Sequence, residues 1–348
     1  MSVPKHILVI RLSAPGDVAM TVPVLHSFQK AYPSVKLTIL TNARLAPLFQ
    51  GLNATLFFAE TKTVHKGFVG LFKLFRGLNA ANKNFPVDAV ADLHNVLRSQ
   101  IIRNLYRLKG VKTAFIDKGR AGKKELTRKE NKAIKQLPTS FERYRDVFQK
   151  IGFPFLFDFK SIFSEKPVLK ENIVALTGEK NEKWIGIAPF AAYREKMYPL
   201  EKTENVIEQL QHISNEKIIF FGSPSDAEVL NNWEKKFPGT VNIAGRLSLS
   251  DELLLMANLD VMVSMDSANM HFASLVNVPV VSIWGATHPY AGFLGWNQQM
   301  ENTVQAELYC RPCSVFGNKP CYRGDWACMN LILPSAVSDK VSNILLAD

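Results

Sequence analysis

Residues 260–289, DVMVSMDSANMHFASLVNVPVVSIWGATHP, constrain the fold more than any other stretch. Val261 to Ser264 and Val278 to Ile283 are short apolar runs of the kind buried on both faces of a parallel sheet. Between them, Asp266-Ser267-Ala268-Asn269-Met270-His271 is small and polar where a helix must begin. Asp266 or Ser267 is suited to cap that helix, whose positive end favours an anion. Ligands of open α/β sheets lie beyond the carboxyl ends of the strands, where this turn and Gly285-Ala286-Thr287 emerge. The pattern predicts a site for a phosphate-bearing ligand.

The remaining chain repeats the alternation. His6 to Ile10 is a predicted strand running into Arg11-Leu-Ser-Ala-Pro-Gly16-Asp17, then a helix from about Val18 to Tyr32. Gly16 permits a turn without a Cβ. Asp17 is an N-cap on one reading and, on the other, a carboxylate at a strand end that accepts a proton from an incoming hydroxyl. The loop lacks both the GxGxxG spacing and the Gly-Lys-Ser/Thr of a P-loop. Val35 to Leu40 and Ala89 to Leu93 are further strands. The second ends in Asp92-Leu-His94-Asn95 before a basic helix, with His94 either structural or in reach of an acceptor. Residues 60–86 and 117–138 are expected to be exposed excursions. In the first, Phe68, Leu71, Phe72, Leu74 and Phe75 interleave with Lys66, Lys73 and Arg76 as in an amphipathic helix, which packs on its domain or lies on a membrane.

The texture changes from Phe153 to about Glu182, which places a domain boundary near residue 165. A second sheet is expected from Trp184. Its first strand leads into a loop with Arg194 and Lys196, either suited to neutralise a phosphate. Lys217 to Phe221 is followed by Gly222-Ser-Pro-Ser-Asp226 and a helix carrying Glu228. Val241 to Gly245 precedes a helix capped by Ser248 or Ser250. Cys310, Cys313, Cys321 and Cys328 fall within nineteen residues, a spacing read as zinc or as reduced thiols in a folded loop.

At 348 residues with 47% apolar side chains, the chain is long enough for two cored domains. No apolar run is long enough to span a bilayer and no signal-peptide layout is present, so the expected compartment is cytoplasmic. The net charge of +11 conceals an asymmetry. Residues 1–165 hold 27 basic and 11 acidic side chains, residues 166–348 hold 15 and 20, and the basic residues concentrate between Arg98 and Lys135. Such a cluster suits a polyanion or anionic headgroups. Few aromatics interleave with it and no nucleic-acid motif is present, so no nucleic-acid partner is expected.

Specific residues go further. Ile7-Leu-Val-Ile-Arg-Leu-Ser13 with Gly16-Asp17, Gly186-Ile-Ala-Pro189 with Lys196-x-x-Pro199, Phe221-Gly222, Ala244-Gly245, Asp266-Ser267-x-x-Met270-His271 and Val280 to Gly285 occur in order over nearly the whole chain. In these the sequence resembles the glycosyltransferase family 9 heptosyltransferases, with the cysteine-rich segment most like the heptosyltransferase II branch. It departs from them in Ala268-Asn269, where Gly-Pro or Gly-Leu is common, and in Tyr198, where Trp is usual. The resemblance implies a GT-B fold of two Rossmann-like domains facing across a cleft: an acceptor-binding domain over 1–165, a nucleotide-sugar domain over 166–333 and a closing helix over 334–348. It implies an inverting transfer of heptose from ADP-heptose to the inner core of lipopolysaccharide, without metal or cofactor, in peripheral contact with the inner face of the inner membrane. Asp17 would be the general base and Lys196 the stabiliser of the leaving diphosphate. Ser267, Asp266, Ala268, His271, Met270, Asp226 and Gly222 would bind the donor. Ser13, Gly16, Arg120, Lys123, Lys124 and Arg128 would bind an anionic glycolipid. The alternatives are a family 9 transferase using another nucleotide sugar, and a non-catalytic nucleotide- or polyanion-binding protein.

Overall fold

The computed structural model describes residues 4–213 and 216–347; Met1, Ser2, Val3, Ser214, Asn215 and Asp348 lie outside the described residues. The chain forms two compact units. One comprises the chain through Lys118 together with Ser140–Ile162, and the other Gly119–Thr139 and the chain from Phe163 onward.

The first unit is a five-stranded parallel sheet in the order β3-β2-β1-β4-β5. Its strands are β1 (His6–Ile10), β2 (Lys36–Thr41), β3 (Ala54–Phe58), β4 (Ala89–Asp92) and β5 (Lys112–Phe115). Leu8, Ile10 and Val90 pack against Leu71, Leu74 and Phe75 of the helix Gly67–Ala81 and against Ile102 and Tyr106 of the helix Leu97–Leu108. Successive strand side chains point to opposite faces, and Ile7, Val9, Ala89 and Ala91 are also fully buried, so both faces are covered.

The helix expected over 18–32 is two helices, Pro15–Ala19 and Val22–Ala31. Pro23 has no N–H to continue a helix from the preceding turn, and the Thr21 hydroxyl donates to the Val18 carbonyl at 2.7 Å. The aromatic run after residue 152 belongs to this unit. Phe153 and Phe155 meet Phe28 at ring-centroid distances of 5.4 and 5.7 Å, Phe148 meets it at 4.7 Å, and Tyr32 donates to the Pro154 carbonyl.

The second unit is a six-stranded parallel sheet, ordered β11-β10-β9-β6-β7-β8. It is built from β6 (Trp184–Ala188), β7 (Lys217–Phe220), β8 (Thr240–Asn242), β9 (Val261–Met265), β10 (Val280–Trp284) and β11 (Thr303–Gln305). Val206, Ile207 and Leu210 of the helix Leu200–Ile213 share a core with Val337 and Val341 of the terminal helix Pro334–Leu346. No described helix is long and apolar enough to cross a membrane.

The basic segment departs from the expected boundary at residue 165, because residues 119–139 pack with the second unit. Lys132 Nζ donates to the carbonyls of Cys310 and Pro312, Leu137 N–H donates to the Tyr290 carbonyl, and Lys123 and Lys129 lie over the rings of Phe293 and Tyr322. Cations placed over aromatic faces and carbonyls hold the segment there.

At the end of β4, Asp92 is fully buried and pairs with Arg103 at 2.9 Å, while its other oxygen accepts the N–H groups of His94 and Asn95. Asp92→Ala leaves a buried guanidinium without its carboxylate, with only the Asn95 amide oxygen to accept from it, and two N–H groups without an acceptor. It should destabilise the first unit by about 3–5 kcal/mol. Hydrogen exchange of the β1 and β4 amides measures this, and protection equal to that of the parent chain would contradict it.

Candidate functional site

Each sheet has one place where neighbouring strands send their connections in opposite directions, and there the loops part. In the first unit this lies between β1 and β4. The loop after β1 carries Arg11 to Asp17, and the loop after β4 carries Leu93 to Asn95. Arg11 is buried, donates from Nη1 to the Leu93 carbonyl at 2.7 Å and pairs through Nη2 with Asp17 Oδ2 at 2.5 Å. Asp17 is not the N-cap of its short helix. Ala14 holds that position, and its N–H donates to Asp17 Oδ2 at 3.4 Å. All these contacts fall on Oδ2, so Oδ1 has no hydrogen bond among the described residues, on a side chain that is 34% exposed. Ser13 is exposed, and Gly16 forms part of the same helix start.

His94 stands beside this pair. It is buried, its Nδ1 has no hydrogen-bond partner among the described residues, and its pKa is pulled down to about 4 by burial and then by Arg11 and Lys118. It is therefore a neutral imidazole at physiological pH.

In the second unit the loops part between β6 and β9. The β6 loop carries Lys196 and the β9 loop carries Asp266, and half-buried Lys196 pairs with buried Asp266 at 3.0 Å. Ser267 is the N-cap residue of the helix Ala268–Leu275, but its side chain makes no capping hydrogen bond and lies 3.2 Å from Ser264 Oγ. The first amides of that helix therefore have no side-chain acceptor, at the end where the dipole favours an anion. His271 and Met270 are both buried; Met270 is fully enclosed, so it builds the helix floor. After β7, the Asp226 carboxylate accepts the Ser223 N–H at 2.8 Å and its hydroxyl at 2.5 Å. A Cβ on Gly222 would press on Leu230 and Asp226, so glycine is what lets that turn close.

The cysteine-rich segment borders this second site: Gly317 lies against Lys196, and the Cys313 and Ser314 N–H groups donate to the Ala286 carbonyl. The four cysteines form no disulfide, and no group of three or more His, Cys, Asp or Glu side chains among the described residues is placed to hold a metal. The zinc reading thus finds no ligand arrangement. Burial pushes the Cys328 thiol up to about 11 against the opposing pull of Arg311, so it is a packed thiol.

Two further residues, which no sequence motif marks, shape this site. Buried Arg311 donates to the carbonyls of Gly285, Thr287 and Ala306 and to Gln305 Oε1, fastening the loop after β10. Gly317, at φ +72°, approaches Lys196 so closely that a Cβ would sit 2.3 Å from Lys196 Cγ. The one local signal available for Gly317 is its place between Cys313 and Cys321. Of the residues expected to bind acceptor from the first domain, Arg120, Lys124 and Arg128 are exposed but belong to the second unit, and Lys123 is buried with its Nζ 4.1 Å from the Phe293 ring centroid. Their charge was legible; the side of the molecule they pack on was not.

The model of glycosyltransferase family 9 (heptosyltransferase) matches residues 71–320. The chain belongs to this family. It is 26% identical over 302 residues to a lipopolysaccharide core heptosyltransferase, OpsX, of Haemophilus influenzae, covering 82% of this chain and 80% of that one. Among solved structures, a glycosyl transferase family 9 protein of Veillonella parvula superposes with a TM-score of 0.73 at 18% identity, covering 99% of this chain and 98% of that one. The ADP-heptose lipopolysaccharide heptosyltransferase II of Escherichia coli superposes with a TM-score of 0.69 at 19% identity, covering 98% and 99%. Each unit thus has the parallel α/β construction of the GT-B fold, and this family 9 chain is a glycosyltransferase.

Two outcomes follow for the family 9 site. Gly317→Ala forces a side chain into a left-handed position against the Lys196 stem and should lower glycosyl transfer about 10²-fold. Gly324→Ala, at φ +75° with nothing within 4 Å, is the control expected to retain transfer; equal losses in both would refute the contact. His94 has a folded-state pKa of about 4 against 6.5 for the unfolded group, so below pH 6.5 the unfolded chain takes up a proton that the native state refuses. Stability falls as pH drops from 6.5 towards 4, by roughly 3 kcal/mol for this group. His94→Gln should flatten the denaturant-unfolding profile across that window.

Proposed function

We propose that the protein is an inverting heptosyltransferase that moves heptose from ADP-heptose to the inner core of lipopolysaccharide, at the cytoplasmic face of the inner membrane. The observation that carries this reading is the site between β6 and β9, where Lys196, paired with Asp266, accompanies a helix start whose amides lack a side-chain cap. A departing nucleoside diphosphate needs positive charge in that place, and an ammonium plus a row of N–H groups provides it without rearrangement. In this reading the leaving group is met by protein cations and dipoles, so the reaction calls for no metal. Ser267, the Ala268 amide and His271 join Lys196 on the diphosphate. Gly222 and Asp226 shape the loop nearest the nucleoside.

The acceptor side is assigned to the first unit. Asp17 would take the proton from the attacking hydroxyl through Oδ1, while Arg11 holds Oδ2 and fixes the carboxylate. Ser13 and Gly16 border that position. The proton moves to Asp17 as the hydroxyl oxygen bonds to the anomeric carbon and the bond from that carbon to the diphosphate oxygen breaks, the charge left on the diphosphate being offset by Lys196. Exposed Arg120, Lys124 and Arg128 remain suited to an anionic glycolipid, presented from the second unit. The similarity to a lipopolysaccharide core heptosyltransferase and to an ADP-heptose lipopolysaccharide heptosyltransferase supports donor and acceptor alike.

Asp17→Asn should lower turnover about 10²–10⁴-fold with donor affinity retained, and Lys196→Ala should lower turnover about 10²–10³-fold. Donor profiling by mass spectrometry, with ADP-heptose beside UDP- and GDP-sugars, checks the sugar nucleotide. Wild-type turnover in Asp17→Asn sinks the base assignment, and preference for a UDP- or GDP-sugar sinks the donor.

A further inference from the structure

The helix Gly67–Ala81 is built with two faces. Leu71, Leu74, Phe75 and Leu78 enter the core of the first unit, and Gly70 allows the preceding turn to fold back, since a Cβ there would lie 2.4 Å from the His65 carbonyl carbon. The opposite face is apolar as well, although nothing in the described structure covers it. Phe68 is 76% exposed, Val69 74% and Phe72 52%, and Val64 in the turn just before the helix is 55% exposed. At 3.6 residues per turn, Phe68, Phe72 and Arg76 follow one another along one stripe, with Val69 and Lys73 beside it. Single exposed hydrophobic residues need no explanation, but four within nine residues, two of them phenylalanines, do.

The surroundings narrow the choice of partner. Between residues 60 and 83 the chain holds Lys62, Lys66, Lys73, Arg76 and Lys83, all exposed, against a single acidic residue, Glu60. The turn is held in shape: His65 N–H donates to the Glu60 carbonyl, the Glu60 N–H donates to His65 Nδ1, and the Thr63 hydroxyl donates to the Glu60 carboxylate. The one acidic side chain is thereby engaged within the turn. What remains outward is a fixed apolar tip ringed by cations. A protein partner is recognised through matched polar groups at a rim, whereas this face offers cations alone around aromatic rings, the arrangement that enters the headgroup and acyl boundary of an anionic bilayer.

We propose that this end of the helix, with Val64, Phe68, Val69 and Phe72 inserted and Lys62, Lys66, Lys73 and Arg76 against the headgroups, docks the protein on an anionic membrane surface. The proposal deepens the reading of a lipid-borne acceptor, and its test uses neither donor nor acceptor, so it stands or falls apart from the transfer reaction.

The test is co-sedimentation of the whole chain with phosphatidylglycerol–phosphatidylethanolamine vesicles and with phosphatidylcholine vesicles, at low and high salt. The parent chain should bind the anionic vesicles and release them at high salt. Phe68→Ser with Phe72→Ser, and separately Lys66→Glu with Lys73→Glu, should each weaken binding about tenfold. Thermal unfolding and turnover on a water-soluble acceptor fragment should be unchanged in both. Equal binding to both vesicle types, or parent-like binding by both double variants, overturns the proposal. So does sedimentation of the parent chain as a dimer that Phe68→Ser with Phe72→Ser dissociates, since the face then serves a second copy.

Discussion

A parallel sheet satisfies its own backbone except along its two edge strands and at the ends of its strands, and its crossovers hide both faces. What can meet a ligand is therefore the set of loops at the carboxyl ends, and among these the two that diverge where strand order reverses. In the first unit those loops carry Asp17 and His94, and in the second Lys196 and Asp266. The sheets do not choose the chemistry, but they leave one address in each unit where it can be placed.

Around each address the chain uses charge to fix geometry. Arg11 holds Asp17 by one oxygen and the β4 loop by the Leu93 carbonyl, so the two loops that border the first site are tied through a single guanidinium. Arg311 does the same for the loop after β10 with three carbonyls and an amide oxygen. The planar fork of arginine suits this work, since its donors leave in fixed directions and none needs to rotate into place. A lysine in either position would keep the charge and lose the bracing.

The charge asymmetry along the chain has a different meaning from the one its sequence position suggests. Part of the basic run is absorbed into structure: Lys123 over Phe293, Lys129 over Tyr322, Lys132 on two carbonyls. These contacts place residues 119–139 on the second unit although they interrupt the first in sequence. Other cations of the first half, Lys62, Lys66, Lys73 and Arg76, stay exposed around the apolar end of the helix Gly67–Ala81. The same residue type thus serves as a clamp in one segment and as a solvated ring in another, and the number of charges alone does not distinguish the two.

Much of the fold was written locally. Buried strands such as His6–Ile10 and Val261–Met265 carry continuous apolar runs, the helix starts show Ser267 and Ser248, and the loop residues Asp17, Lys196 and Asp266 sit at strand ends in any α/β arrangement. Patterning of this kind depends on neighbours a few residues away, which is why it can be read along the chain. Short edge strands such as Ala54–Phe58 and Thr303–Gln305 left no comparable mark, being half-exposed or too brief for a period to show. Tertiary structure alone decided that Arg11 would be tied to the Leu93 carbonyl of the β4 loop, that Gly317 would lie under Lys196 more than a hundred residues away, and that the basic segment would join the second unit. Each is a contact between residues distant in sequence, set by how packed elements meet, and no local preference encodes the partner.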